Sequence, residues 1–96
     1  ESQVILNGSY NINFTMDLVL KDTGLFDNLA KKLNAPLEIS PQIVEIFKDG
    51  QKKYGSRAWS SMIVKRMEDA NNIDFRASGF PSELTDNEPE EKGYEI

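Results

Sequence analysis

The sequence predicts an all-α domain with three main helices, followed by an acidic tail. Apolar residues recur every three or four positions in three segments, and no segment alternates long enough to indicate a β-strand. The chain has 96 residues, which is enough for one modest hydrophobic core and too few for two full domains. We therefore place the helical domain at residues 1–81 and the acidic tail at residues 82–96.

The first main helix is predicted to begin near Asn13 or Thr15. Its apolar face has spacings of four, three, four and four, and comprises Leu18, Asp22, Leu25, Leu29 and Leu33, with Phe14 and Phe26 beside it. Proline disfavours helical geometry in the residue before it, so the helix should end between Asn34 and Pro36. Because Asp22 falls inside the apolar face, we expect its carboxylate to be buried and paired.

A second helix is predicted from about Pro41 to Tyr54. Ser40 is expected to cap it, because a serine oxygen accepts hydrogen bonds from free amide groups and the following proline has no N–H to leave unpaired. Gly55 is suited to end the helix, since glycine adopts the backbone geometry that terminates helices.

A third helix is predicted from a cap at Ser56 to a close at Asn71 and Asn72. One side is expected to pack inward through Trp59, Met62, Ile63, Arg66, Met67 and Ala70, while Lys65, Glu68 and Asp69 face solvent. From Ile73 onward the helical period is lost, and we expect an extended segment there.

Composition excludes several kinds of function. There is no cysteine or histidine, so disulfides, thiolate metal sites and histidine-based catalysis are ruled out. No apolar run approaches the ~20 residues of a membrane span. The net charge of −5 lies entirely in residues 82–96, and an acidic tail on a neutral body disfavours nucleic-acid binding. The chain opens with Glu1 and shows no signal peptide, so we expect a piece of a cytoplasmic protein.

The segment from Lys21 to Gly24 departs from an ordinary amphipathic helix. Lys21 lies at the edge of the apolar face, where its stem can pack while its ammonium reaches a partner or an anionic ligand. Gly24 costs about 1 kcal/mol inside a helix, which close approach of another backbone or a ligand would explain. From spacing alone, an amphipathic helix with one paired acid and a solvated lysine accounts for the same residues.

The run from Phe14 to Leu25, Phe-Thr-Met-Asp-Leu-Val-Leu-Lys-Asp-Thr-Gly-Leu, resembles a signature of the β-hydroxyacid dehydrogenases. That family includes 3-hydroxyisobutyrate dehydrogenase and tartronate semialdehyde reductase, and the signature lies in its C-terminal helical domain, which is of the 6-phosphogluconate-dehydrogenase-like kind. The similarity continues through Ala30, Pro36 and the second helix to Trp59-Ser60, and covers roughly residues 8–70. Two residues depart from the pattern: Thr23 replaces a leucine, and Phe26 stands where a small residue is typical.

The resemblance implies that Lys21 contacts NAD or NADP from the helical domain, that Asp22 positions Lys21, and that Phe14 lines the cleft nearby. It implies a parent enzyme that interconverts a small 3-hydroxy acid and its semialdehyde and that forms a homo-oligomer through this domain. The catalytic lysine of the family lies in an upstream Gly-rich motif, and residues 1–20 contain no lysine. The Gly-x-Gly-x-x-Gly turn of a dinucleotide-binding half is also missing.

We therefore expect no catalytic residue in these 96 residues, and an inactive chain when it is isolated from the rest of such an enzyme. The alternative is a helical protein-interaction module without enzymatic chemistry, which would use the same apolar faces to bind a partner.

Overall fold

A computed structural model describes residues 1–83 and 87–93 of the chain. In these residues the backbone forms four α-helices and one 3₁₀ helix, and no β-strand: α1 Ser2–Leu6, α2 Met16–Lys32, α3 Ser40–Tyr54, the 3₁₀ helix Ser60–Val64, and α4 Lys65–Asn71. The predicted all-α class is confirmed. The short helix α1 was not predicted; it places the fully buried Val4 in the core.

Helix α2 lies close to its predicted bounds: it begins at Met16, one residue after Thr15, and ends at Lys32, two residues before Asn34. The structure explains both of its ends. Its first two amide groups, those of Met16 and Asp17, donate to the carbonyls of Ala58 at 2.9 Å and Ser56 at 3.0 Å. At the other end the backbone turns left-handed at Asn34, with a φ of 53°. The amide of Ala35 then returns to the carbonyl of Ala30 at 2.9 Å, an arrangement that satisfies carbonyls at a helix end.

The face of α2 that is buried is not the face that the sequence analysis predicted. Met16 and Ala30 are its buried residues, and they pack on the side opposite the leucines. Leu25, Leu29 and Leu33 are each more than half exposed. The side chain of Asp22 is also exposed, so the prediction of a buried carboxylate at Asp22 is wrong. The period identifies an apolar face correctly, but within the described chain no element covers it.

Helix α3 runs from Ser40 to Tyr54, as predicted, but its cap differs. Ile39 occupies the N-cap position, and the hydroxyl of Ser40 donates to Asp27 Oδ1 of α2 at 2.6 Å instead of capping α3. Gly50 is buried where α3 meets the rest of the core. A Cβ atom at Gly50 would lie 2.8 Å from Cδ1 of Ile63 and 3.0 Å from the sulfur of Met16, so glycine permits this close packing.

The third predicted helix is in fact two elements, the 3₁₀ helix and α4. Trp59 is extended and pairs with Thr15 as an isolated antiparallel bridge, which prevents the helix from starting earlier. The amide of Ser60 donates to the carbonyl of Phe14 at 2.7 Å. Ser56 lies in the preceding turn and provides no helix cap. The predicted end is confirmed: Asn72 adopts a left-handed conformation after α4.

Glu68 on α4 was predicted to face solvent, and that prediction is wrong. Its side chain is only 1% exposed and accepts a hydrogen bond from the Tyr10 hydroxyl at 2.7 Å. Arg76 donates to both carboxylate oxygens of Glu68, at 3.3 and 3.2 Å, and to the Tyr10 oxygen at 2.7 Å. These three residues form a cluster that we call the Glu68 clasp. It joins the turn after α1, helix α4 and the extended segment after α4.

The Glu68 clasp holds its acid ionised. Burial opposes the charge of Glu68, but hydrogen bonds from Tyr10 and Arg76 outweigh it and lower the pKa of the carboxyl. Burial and the neighbouring carboxylate raise the pKa of the Tyr10 hydroxyl, so it stays a donor. The segment that bears Arg76 is attached to the N-terminal part of the chain by polar contacts, including the Ala77 amide on the Leu6 carbonyl at 3.1 Å.

Candidate functional site

The sequence-predicted site residues lie at the N-terminal end of α2, on its exposed face. Lys21 is on the second turn of the helix, with 62% of its side chain exposed, and its ammonium lies 3.6 Å from Oδ1 of Asp22. Asp22 is 59% exposed. The two charges therefore form a solvent-facing pair and make no other ion pair with residues 1–83 or 87–93, so the Lys21 ammonium is accessible to a group that approaches from outside this chain.

Phe14 lies just before the Thr15 cap of α2 and is held by its backbone. Its carbonyl accepts from the Ser60 amide at 2.7 Å, which ties this end of α2 to the start of the 3₁₀ helix. The residue as a whole remains 38% exposed. The structure thus brings Phe14, Lys21 and Asp22 to one end of one helix and leaves all three accessible.

Gly24 has no close neighbour in the described chain. A Cβ atom there would meet nothing within 4 Å, so no backbone among the described residues approaches this glycine closely. Close approach of a backbone was one of the two reasons considered for it. Next to it, Thr23 donates its hydroxyl to the Val19 carbonyl at 2.8 Å, a local bond that helices tolerate.

The C-terminal half of α2 borders an apolar groove of about 540 Å³. The groove lies between α2 and the start of α3, and its lining is mostly apolar, with Phe26, Pro36, Leu37, Ile39 and Ile43 beside Thr23, Glu38 and Ser40. Phe26 and Ile39 are more than half exposed. Together with the exposed leucines of α2, they make an apolar surface that continues from the Lys21 pair toward the C-terminus of the helix.

Arg57 is a candidate site residue that the sequence analysis missed. Its side chain is 81% exposed, and its Nη1 lies 3.3 Å from Oδ2 of Asp17, one turn before Lys21 on α2. The pKa of Asp17 is lowered, chiefly by a hydrogen bond from the Thr15 hydroxyl and also by Arg57, against a smaller opposing effect of desolvation. The sequence carries no local signal for this pair, because Arg57 is 40 positions from Asp17 and Lys21 is the basic residue that lies one turn from Asp17 on the same helix.

The described residues contain no group of three or more acidic side chains that could hold a metal ion. They also contain no helix that is long and apolar enough to cross a membrane. An anionic dinucleotide suits the residues present in one respect, because Lys21 and Arg57 put two exposed cations at one end of α2. These residues could contact only one side of such a ligand, since neither cation lies in an enclosed cavity.

The fold and the site define an all-α domain with a charged pair and an open apolar surface along one helix. Comparisons of the chain with protein-family models, with curated proteins and with solved structures find no match.

Proposed function

We propose that this chain is the C-terminal helical domain of an NAD(P)-dependent β-hydroxyacid dehydrogenase, in which Lys21 contacts the cofactor across a cleft. The observation that carries the proposal is the exposure of Lys21 and Asp22 on a helix whose outward face also exposes Leu25, Leu29 and Leu33. An isolated domain with a self-sufficient core would bury such leucines. A domain of a larger enzyme can leave such leucines exposed, because another part of the enzyme covers them.

In this proposal the two halves of the exposed α2 face have different roles. In the N-terminal half, the Lys21 ammonium donates to the dinucleotide, and Asp22, at 3.6 Å, restricts where the ammonium lies. The Phe14 ring supplies a flat apolar surface beside them. In the C-terminal half, Leu25, Leu29 and the groove at Phe26 are covered by the remaining part of the enzyme or by a second subunit.

In this proposal the cofactor and the other part of the enzyme carry out the reaction chemistry, and this chain contributes binding. The bound nicotinamide accepts or donates a hydride at the carbon that carries the substrate hydroxyl. This chain binds and orients the cofactor. The residue that moves the hydroxyl proton belongs to the other part, and we assign no catalytic residue to these 96 residues.

The test of the proposed function is a hydride-transfer assay on the full gene product. It is given small 3-hydroxy acids with NAD⁺ or NADP⁺, and formation of reduced nicotinamide is measured. We expect turnover with at least one such acid and none with the 96-residue chain alone. No turnover with any acid, combined with no cofactor binding by calorimetry, would refute the proposal.

The second candidate function is a protein-interaction module without enzymatic activity. The exposed apolar surface of α2 and the 540 Å³ groove favour it, because such surfaces bind partner helices. The two functions differ at Lys21: a module bound through its leucines is insensitive to loss of the lysine charge, whereas the dehydrogenase is not.

We expect the isolated chain to self-associate, because nothing in the described chain covers Leu25, Leu29 and Leu33. Light scattering at ~100 μM, far above the Kd of an ordinary interface, should give a mass above that of the monomer. Leu29→Glu should shift it toward the monomer, whereas Lys48→Glu, on α3, should not. A monomeric mass for the unaltered chain would contradict this expectation.

A further inference from the structure

We propose that Arg57 is a second anion-binding residue of the Lys21 site, and that it contacts a carboxylate or phosphate group of the ligand. The inference rests on the proposed function and deepens it, since it assigns a ligand contact to a loop that the resemblance does not assign. The juxtaposition that carries it is that of two exposed cations at one end of α2: Arg57 is paired with Asp17, and Lys21, which is paired with Asp22, follows Asp17 by four residues.

The backbone places Arg57 at a fixed position relative to α2. Ser56 and Ala58, its two neighbours, accept the first two amide protons of α2 through their carbonyls, at 3.0 and 2.9 Å. Arg57 is therefore held on both sides to the helix that carries Lys21. Since Asp17 and Lys21 are four residues apart on that helix, their Cβ atoms lie about 6 Å from each other. The guanidinium on Asp17 is thus within reach of a ligand that contacts Lys21.

Asp17 does not require Arg57 to satisfy its carboxylate. Its Oδ1 already accepts from the Thr15 hydroxyl and from the Leu18 amide. Arg57 uses one nitrogen at 3.3 Å and keeps further N–H groups directed to solvent, with its side chain 81% exposed. A ligand can therefore engage Arg57 without leaving a buried charge behind, and Asp17 serves to position it.

Other arginines of the described chain are committed to structural pairs. Arg66 donates to Asp49 at 2.7 Å and is 24% exposed, and Arg76 belongs to the Glu68 clasp. Their charges hold α3 against α4 and the extended segment against α4. Arg57 differs because its partner is already satisfied and because it lies beside Lys21.

The shared chemistry of the ligand is a planar or tetrahedral oxyanion, which a guanidinium binds through two parallel hydrogen bonds. In a hydroxyacid dehydrogenase two groups carry that chemistry: the carboxylate of the substrate and the phosphates of the dinucleotide. Separate measurements for the two ligands distinguish these sources.

The kinetic test compares Arg57→Met with Lys48→Met in the full gene product. Methionine keeps an apolar stem and removes the charge, and Lys48 is an exposed cation on α3 that is paired with Glu45. We expect Arg57→Met to raise either the KM for the hydroxy acid or the Kd for the dinucleotide by about tenfold or more, as befits a lost charge-assisted pair. A rise for the acid alone identifies its carboxylate, and a rise for the dinucleotide alone identifies a phosphate. Values within twofold of those of Lys48→Met for both ligands would overturn the proposal.

A direct titration separates this inference from the proposed function. The 96-residue chain is titrated with inorganic pyrophosphate and with 3-hydroxypropionate, and the side-chain Nε–H resonances of its arginines are followed by NMR. We expect the Arg57 resonance to move with at least one ligand while those of Arg66 and Arg76 stay in place. If the full gene product shows no turnover but Arg57 responds, the dehydrogenase fails and the anion site stands. If turnover is present and no arginine responds, or all respond equally, the anion site fails.

Discussion

Replacing Arg76 with methionine should lower the free energy of unfolding by about 2 to 3 kcal/mol, because it leaves the buried carboxylate of Glu68 without its cation. Removing one partner of a fully buried pair costs more than this, but Arg76 is 36% exposed and Glu68 keeps its hydrogen bond from Tyr10. Denaturant unfolding at neutral pH measures the difference. The loss of the Arg76 contacts should also free the segment after α4 for proteolysis.

The destabilisation should depend on pH with a defined sign. In the native protein the pKa of Glu68 is below its ordinary 4.5, so the Glu68 clasp contributes stability above pH 4.5, and that contribution is lost as the pH falls through the folded pKa. Without Arg76, the effect of burial is opposed only by the hydrogen bonds with Tyr10 and Asp74, and the pKa of Glu68 should rise. The native protein then loses more stability than the variant does as the pH is lowered, so the deficit of the variant should shrink.

The matched control is a double-mutant cycle with Glu68→Gln. Glutamine keeps the shape of the side chain and removes the charge that Arg76 pairs with, so the two substitutions together should cost less than the sum of each alone. Lys48→Met, which removes an exposed pair with Glu45, should change stability by less than about 0.5 kcal/mol. An Arg76→Met variant as stable as this control at every pH would show that the Glu68 clasp does not hold the segment.

The ends of the long helices could be predicted from the sequence because they depend on local chemistry. Pro36 and the left-handed Asn34 end α2, and Pro41 and Gly55 bracket α3, where proline and glycine restrict or free the backbone whatever surrounds them. The third helix failed as a single element because a contact distant in sequence, the bridge from Trp59 to Thr15, extends the chain at its predicted start.

Burial of charged side chains was less predictable than helix ends. The sequence analysis predicted one acid to be buried that is exposed, and another to be exposed that is buried. Asp22 lies on an apolar face but is exposed, and Glu68 lies on a polar face but is buried. Periodicity gives the face of a residue, whereas burial is decided by what packs there. For Glu68 the deciding partner, Tyr10, is 58 positions away in sequence. Arg57 was missed for the same reason, since its pairing with Asp17 spans 40 positions.

In the full gene product, Lys21→Ala should raise the barrier for cofactor use by about 2 to 3 kcal/mol, seen as a fall in kcat/KM for the dinucleotide. The proposed contact is a charge-assisted hydrogen bond that also orients the nicotinamide. The fold should stay intact, because the Lys21 side chain is 62% exposed and its removal opens no cavity in the core. Steady-state kinetics with varied cofactor, and thermal unfolding of the same preparation, measure the two effects.

Asp22→Ala is the informative companion, and the structure changes what is expected of it. Truncation of a buried Asp22 would lower the stability of the protein. The Asp22 side chain is 59% exposed, however, so its pair with Lys21 contributes little to folding. We therefore expect Asp22→Ala to keep the thermal stability of the native protein and to weaken cofactor use less than Lys21→Ala does, because it loosens the ammonium without removing it. Lys48→Ala controls for the loss of one exposed cation. If Lys21→Ala leaves cofactor kinetics within twofold of that control, Lys21 is a solvated residue of an amphipathic helix, and the interaction module is then the better account of the leucines beside it.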